Sequence, residues 1–171
     1  MGFDFTFRTA ASLKDYRAVI DFLSKQDLGY PGYQDWVQRA EAELLTGYKN
    51  VILGINGNRV VSDVMFQPHK QLGGRVIEVK NIRVDEQLRG RYFAGFMMRQ
   101  LQTEVSEESD CILVDARSSP TDVISMLKSL GYVEVTRTPL YDTNEQDVVM
   151  TRVFDKRNKS GPISKMQRLF V

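Results

Sequence analysis

From Asn81 to Ala94 the chain reads Asn-Ile-Arg-Val-Asp-Glu-Gln-Leu-Arg-Gly-Arg-Tyr-Phe-Ala. An alternating segment ends there, a short polar loop turns, and a run with helical spacing begins. A helix that starts at such a point presents N–H groups without partners, and its macrodipole makes that end positive. Phosphate suits such an end, and Arg89 and Arg91 add mobile positive charge beside it. Other reactive side chains are few. His69, in Gln67-Pro68-His69-Lys70, is the one imidazole, and Cys111 is the one thiol. That excludes an intrachain disulfide and a cysteine-based zinc site, and no metal is expected. Cys111 opens an apolar run and reads as a small buried hydrophobe. His69 falls in a turn and reads as a surface loop residue, with a proton-shuttling role as the alternative.

Alternation predicts a strand over 3–9. Ser12 then starts a helix, with Asp15 at its third position and Tyr16, Val19, Ile20 and Leu23 on the apolar side. A turn cluster over 27–32 precedes a second amphipathic helix over 33–46, stopped by Gly47. Strands follow over 50–55 and 59–66, joined by Asn56-Gly57-Asn58, a strong hairpin signal. A loop is expected over 67–74 and a third strand over 75–84. The next helix carries Phe93, Phe96, Met97 and Leu101 and is expected to end near Ser109. Cys111 to Val114 suits a strand buried on both faces. A helix over 121–130 closes at Gly131, and strands over 132–137 and 148–154 complete the order β-α-α-β-β-β-α-β-α-β-β. A mixed sheet with helices on both faces packs this order naturally, because the β-α-β stretch needs a crossover.

The chain has 171 residues, 42% hydrophobic and 26% charged, which is enough apolar material for one core. A single domain is expected over 1–154, followed by a basic extension over 155–171 with five cations against Asp155. With 23 basic and 22 acidic residues overall, no global field favours nucleic acid. No apolar run approaches the roughly 20 residues of a membrane span, and no signal pattern opens the chain. A soluble, cytoplasmic protein is the expectation.

These residues together resemble the GNAT acyltransferase superfamily, whose pyrophosphate-binding motif is written R/Q-x-x-G-x-G/A. Arg89 matches its first position and Ala94 its last, while Tyr92 stands where the middle glycine is usual. The segment Ser125-Met126-Leu127-Lys128-Ser129-Leu130-Gly131-Tyr132 resembles the family's next motif, a helix ending Leu-Gly-Phe/Tyr. The element order is also that family's, over nearly the whole chain. The resemblance implies acetyl-CoA as co-substrate and transfer of its acyl group to a primary amine by direct attack on the thioester. It implies that the backbone of Ile82 and Val84 pairs with the pantetheine arm. Arg89, Gly90, Arg91, Tyr92, Phe93 and Ala94 would hold the pyrophosphate, and an amide near Ile82 would serve the oxyanion.

Glu78, eleven residues before Arg89, is similar in position to the general-base glutamate of histone-type members. Its alternative is a side chain that points to solvent or pairs with Arg75 or Lys80. Asp115, near the end of the adjacent strand, could assist or simply cap the loop before Pro120. Many members carry a tyrosine as general acid in the second motif. Aligning on Gly131 places Leu127 there, and leucine cannot donate a proton. Tyr132 and Tyr141 remain as candidate general acids, with packing as their alternative. Leu127 and Tyr92 support a second reading, a catalytically weak or inactive acyl-CoA-binding module that acts through a partner. The acceptor would be a small-molecule or peptide amine, shaped by the segment over 25–36 with Tyr30, Tyr33 and Trp36. No membrane or nucleic-acid partner is implied, and a homodimer is left open.

Overall fold

The computed structural model describes residues 4–27 and 29–154. The first residue of the opening strand and the basic extension over 155–171 lie outside the described residues. The elements are β1 (Phe5–Thr9), α1 (Leu13–Ser24), α2 (Tyr33–Leu45), β2 (Asn50–Asn56), β3 (Arg59–His69) and β4 (Gly73–Val84). A single 3₁₀ turn (Glu86–Leu88) follows, then α3 (Phe93–Val105), β5 (Cys111–Arg117), α4 (Asp122–Ser129), β6 (Val133–Thr138) and β7 (Asp147–Val153). Hydrogen bonding runs through seven strands in the order β1-β2-β3-β4-β5-β7-β6. The β4–β5 pair is parallel, whereas β1–β2, β2–β3, β5–β7 and β6–β7 are antiparallel. This is the mixed sheet expected from the element order.

Three boundaries differ from expectation. The loop expected over 67–74 shrinks to 70–72, because His69 Nδ1 accepts the N–H groups of Gln71 (3.2 Å) and Leu72 (3.1 Å) and closes a tight turn. α3 stops at Val105, short of Ser109. β5 runs on to Arg117 because its pairing with β7 continues through Asp115, Ala116 and Arg117.

The residues fall into two compact units, and β4 and α3 each contribute to both. The first comprises, among the described residues, 4–27, 29–67 and Lys80–Leu101. Ser12 caps α1 by accepting the Asp15 N–H at 3.2 Å, and the Asp15 carboxylate accepts the Ala11 N–H at 3.0 Å. The Arg8 guanidinium, 2.6 Å away, holds that carboxyl well below the usual carboxylate range. Side chains alternate across β1, so Phe5 and Phe7 lie opposite Arg8. Phe5 and Phe7 meet Phe93 and Phe96 of α3, with centroids 4.6–5.7 Å apart. On the other face, Val19 and Leu23 of α1 and Val37, Ala40 and Leu44 of α2 bury Val51, Leu53 and Met65. Helices thus cover both faces of this part of the sheet.

The second unit comprises, among the described residues, Pro68–Val79 and 102–154. Cys111, Ile112, Leu113 and Val114 are all nearly inaccessible, as their unbroken apolar run implies. Cys111 and Leu113 share a cluster with Val76, Val135 and Val149. α4 ends where Gly131 takes a positive φ of 85°, and Tyr132 N–H reaches back to the Leu127 carbonyl.

Candidate functional site

The phosphate-binding candidate is built in the first unit, where β4 hands over to α3. Asp85 anchors the turn. Its N–H donates to the Val61 carbonyl at 2.8 Å, its carboxylate accepts the Gln87 N–H at 3.1 Å, and Arg59 pairs with it. Leu88 is buried beneath this turn, and Arg89 Nε donates to the Val84 carbonyl at 3.3 Å. Gly90 then takes φ 72°, in a region that glycine enters without steric cost, and a Cβ added there would meet nothing within 4 Å.

Tyr92 takes φ 65°, the one positive φ outside glycine among the described residues. It stands at the position where the motif usually has glycine, and it adopts a glycine-like backbone. Its side chain is 86% exposed, so the ring turns outward. Phe96 N–H bonds to the Tyr92 carbonyl at 2.9 Å, which places the amides of Phe93, Ala94 and Gly95 in the first turn of α3, ahead of its internal bonding. Arg89 and Arg91 are exposed beside them. First-turn amides, a helix dipole and two cations suit a pyrophosphate. Ile82 and Val84 lie on the preceding strand and are partly exposed.

A buried polar group lies behind that strand. Asp63 of β3 is fully inaccessible, and its Oδ2 accepts a 2.7 Å bond from Asn81 Nδ2. Arg83 stands over the rings of Tyr30 (5.9 Å) and Tyr33 (5.8 Å). Tyr33 is buried, donates its hydroxyl to the Leu23 carbonyl at 2.9 Å and stacks on Trp36, so packing accounts for it. The sequence pattern assigns no role to Asp63, nor to Asn81 and Arg83 beyond flanking Ile82. The available signal was a carboxylate in the middle of Val60-Val61-Ser62-Asp63-Val64-Met65-Phe66.

The proton-transfer candidates lie in the second unit. Glu78 pairs in register with Leu113 of β5, two residues from Asp115 on the same face. Tyr141 follows β6, and its hydroxyl faces Asp115, with Glu78 and Asp147 also acting on it. Burial around the hydroxyl, then the Asp115 charge and hydrogen bond, then the charges of Glu78 and Asp147, push its pKa far above that of an ordinary phenol. The residue as a whole is 44% exposed, so this protonated hydroxyl belongs to an accessible side chain. The fold therefore brings Glu78, Asp115 and Tyr141 together.

Tyr132 is not part of that group. It is 2% exposed and lies beside Gln102 and Arg152, and its hydroxyl makes no bond of ordinary geometry among the described residues. Burial pushes it up to about 12. Leu127, at the place of the family's tyrosine, is wholly buried. Burial likewise pushes the Cys111 thiol up to about 11, which makes it a poor nucleophile. Among the described residues no group of three or more His, Cys, Asp or Glu side chains is placed to hold a metal ion, and no helix is long and apolar enough to cross a membrane.

Solved structures share this architecture. The ribosomal-protein-S18-alanine N-acetyltransferase from Escherichia coli superposes with a TM-score of 0.72, covering 89% of this chain and 95% of its own at 16% identity. This is the GNAT acetyltransferase fold. The Salmonella typhimurium protein yncA, whose structure holds its cofactor acetyl-CoA, gives a TM-score of 0.69 over 89% and 95% of the two chains at 15% identity. The spermidine N-acetyltransferase from Vibrio cholerae, solved with CoA and spermine, gives 0.66 over 87% and 95% at 11% identity. No protein-family model and no curated protein sequence matches the chain.

Proposed function

We propose that the protein is an acetyl-CoA-dependent N-acetyltransferase of the GNAT superfamily that acylates a primary amine. The observation that carries this reading is the turn from Arg89 to Ala94. Gly90 and Tyr92 both take left-handed backbone there, and two exposed arginines stand beside the start of α3. The residues fit the group: Arg89 to Ala94 would hold the pyrophosphate, and Ile82 and Val84 would pair with the pantetheine arm. Acetyl-CoA, when bound, supplies an acyl thioester.

The chain's own groups would then manage protons. An alkyl ammonium with a pKa of about 10 is mostly unreactive near neutral pH until it loses one. Glu78 would accept that proton, directly or through a water. The carboxylates of Glu78, Asp115 and Asp147 around Tyr141 favour a cationic acceptor, and burial, with these charges behind it, keeps the Tyr141 hydroxyl protonated. Tyr141 would be the donor to the departing thiolate, since it is the more accessible of the two candidates and Tyr132 is shut in the interior. An arriving ammonium would offset the carboxylate charges and ease that donation.

The buried Leu127 supports a second reading, an acyl-CoA-binding module with weak or no catalysis. Calorimetric titration with CoA tests what both readings share. Saturable binding that a bulky residue at Ala94 abolishes supports the turn as the cradle, and binding unchanged in a folded Ala94→Trp variant removes it. A soluble cytoplasmic enzyme fits this reading.

A further inference from the structure

Asp63 has no part in the chemistry above, yet its burial is expensive. An isolated carboxylate in the interior is so costly that such positions normally hold an apolar residue or a well-paired ion. Here Oδ2 has the Asn81 amide as its partner, and Oδ1 has none among the described residues. The groups that act on Asp63 are Asn81 and Arg83 of β4, and Tyr33 of α2 shares the same surroundings. Burial raises the carboxyl to about 7, opposed only in part by the Asn81 bond and the Arg83 charge. Both forms are therefore populated near neutral pH.

Asn81 and Arg83 are the neighbours of Ile82. Asp63 binds the side chain of the first, and its charge attracts the second. Arg83 in turn donates from its Nη1 to the Ile82 carbonyl at 3.0 Å, while its Nε is buried without a partner among the described residues. One carboxyl thus acts on both sides of a single residue of β4. We propose that Asp63 is a positioning residue that fixes the backbone of Asn81, Ile82 and Arg83 for pairing with the pantetheine arm. This rests on the acyl-CoA reading of that strand. Ionised Asp63 accepts a charge-assisted bond from Asn81 and holds Arg83 by attraction. Protonation removes that attraction and leaves Arg83 held, among the described residues, only by the Ile82 carbonyl and the Tyr30 and Tyr33 rings. CoA affinity should therefore rise with pH through neutrality, and bound CoA should favour the ionised carboxyl.

The test is calorimetry with CoA on the full chain between about pH 6 and about pH 8, for wild type and Asp63→Asn. The 3′-phosphate of CoA also ionises in this range, so the informative quantity is the difference between the two proteins at each pH. The wild type should gain about 3- to 10-fold in affinity over the variant as pH rises. Equal dissociation constants at every pH would make Asp63 a core residue only. The wild type alone supplies a second measurement that does not depend on the variant folding, the carboxyl titration of Asp63 followed by carbon NMR. Saturating CoA should lower its midpoint by about 0.5, the counterpart of a threefold gain in affinity. An unmoved midpoint overturns the proposal. If the wild type binds no CoA at any pH, the acyl-CoA reading itself fails and this proposal falls with it.

Discussion

Single residues carry most of the chemistry. Glu78→Gln keeps the shape of the side chain and removes the base, so turnover should fall about 10²–10⁴-fold while CoA affinity stays nearly intact. The comparison needs a pH series with the natural acceptor, and wild-type turnover with the same acidic limb would assign Glu78 a structural part. Tyr92 carries backbone strain without repayment from burial, since its ring is 86% exposed. Tyr92→Gly should stabilise the fold by about 1 kcal/mol, raising the melting temperature by about 2–4 °C. A lower melting temperature would mean that the ring contributes to folding.

Asp63 makes stability depend on pH. Its folded carboxyl lies at about 7, above the ordinary 3.8, so the folded state binds the extra proton. The stability this gives is fully present below about pH 4 and is lost as pH rises to about 7, by up to about 4 kcal/mol. Asp63→Asn cannot titrate. Its melting temperature should gain on the wild type from about pH 5 to about pH 8, and a difference independent of pH would contradict this.

At the scale of elements, the turn between β4 and α3 works as a unit: Asp85 anchors it, Leu88 seats it and Gly90 bends it. Gly90→Val should force a β-branched side chain into left-handed backbone and weaken CoA binding by at least about tenfold, read by calorimetry. Unchanged binding in a folded variant would show that the turn tolerates a different path. The turn was legible in the sequence because its signals are local: alternation stops, Arg-Gly-Arg follows, and helical spacing begins. The shortness of the β3–β4 connection was not. Pro68, Gly73 and Gly74 read as loop, but the His69 ring bonds two backbone amides and lets both strands run on. That bond depends on a side-chain orientation no local rule reveals.

At the scale of the whole chain, the order of elements was readable because turn residues such as Asn56-Gly57 and Gly131 punctuate it. The meeting of Tyr141 with Asp115 and Glu78 was not, since it joins a loop after β6 to two strands far earlier in sequence. Asp63 was hidden for a similar reason: alternation cannot say that both faces of β3 are covered. The most direct test of the acetyltransferase reading joins these pieces. Purified full chain is incubated with acetyl-CoA and a panel of primary amines, and free thiol is followed alongside the mass of each amine. The expected result is amine-dependent thiol release matched by an acetylated product, strongly reduced in Glu78→Gln. Tight CoA binding without release above buffer for any amine would contradict it and leave a binding module in its place.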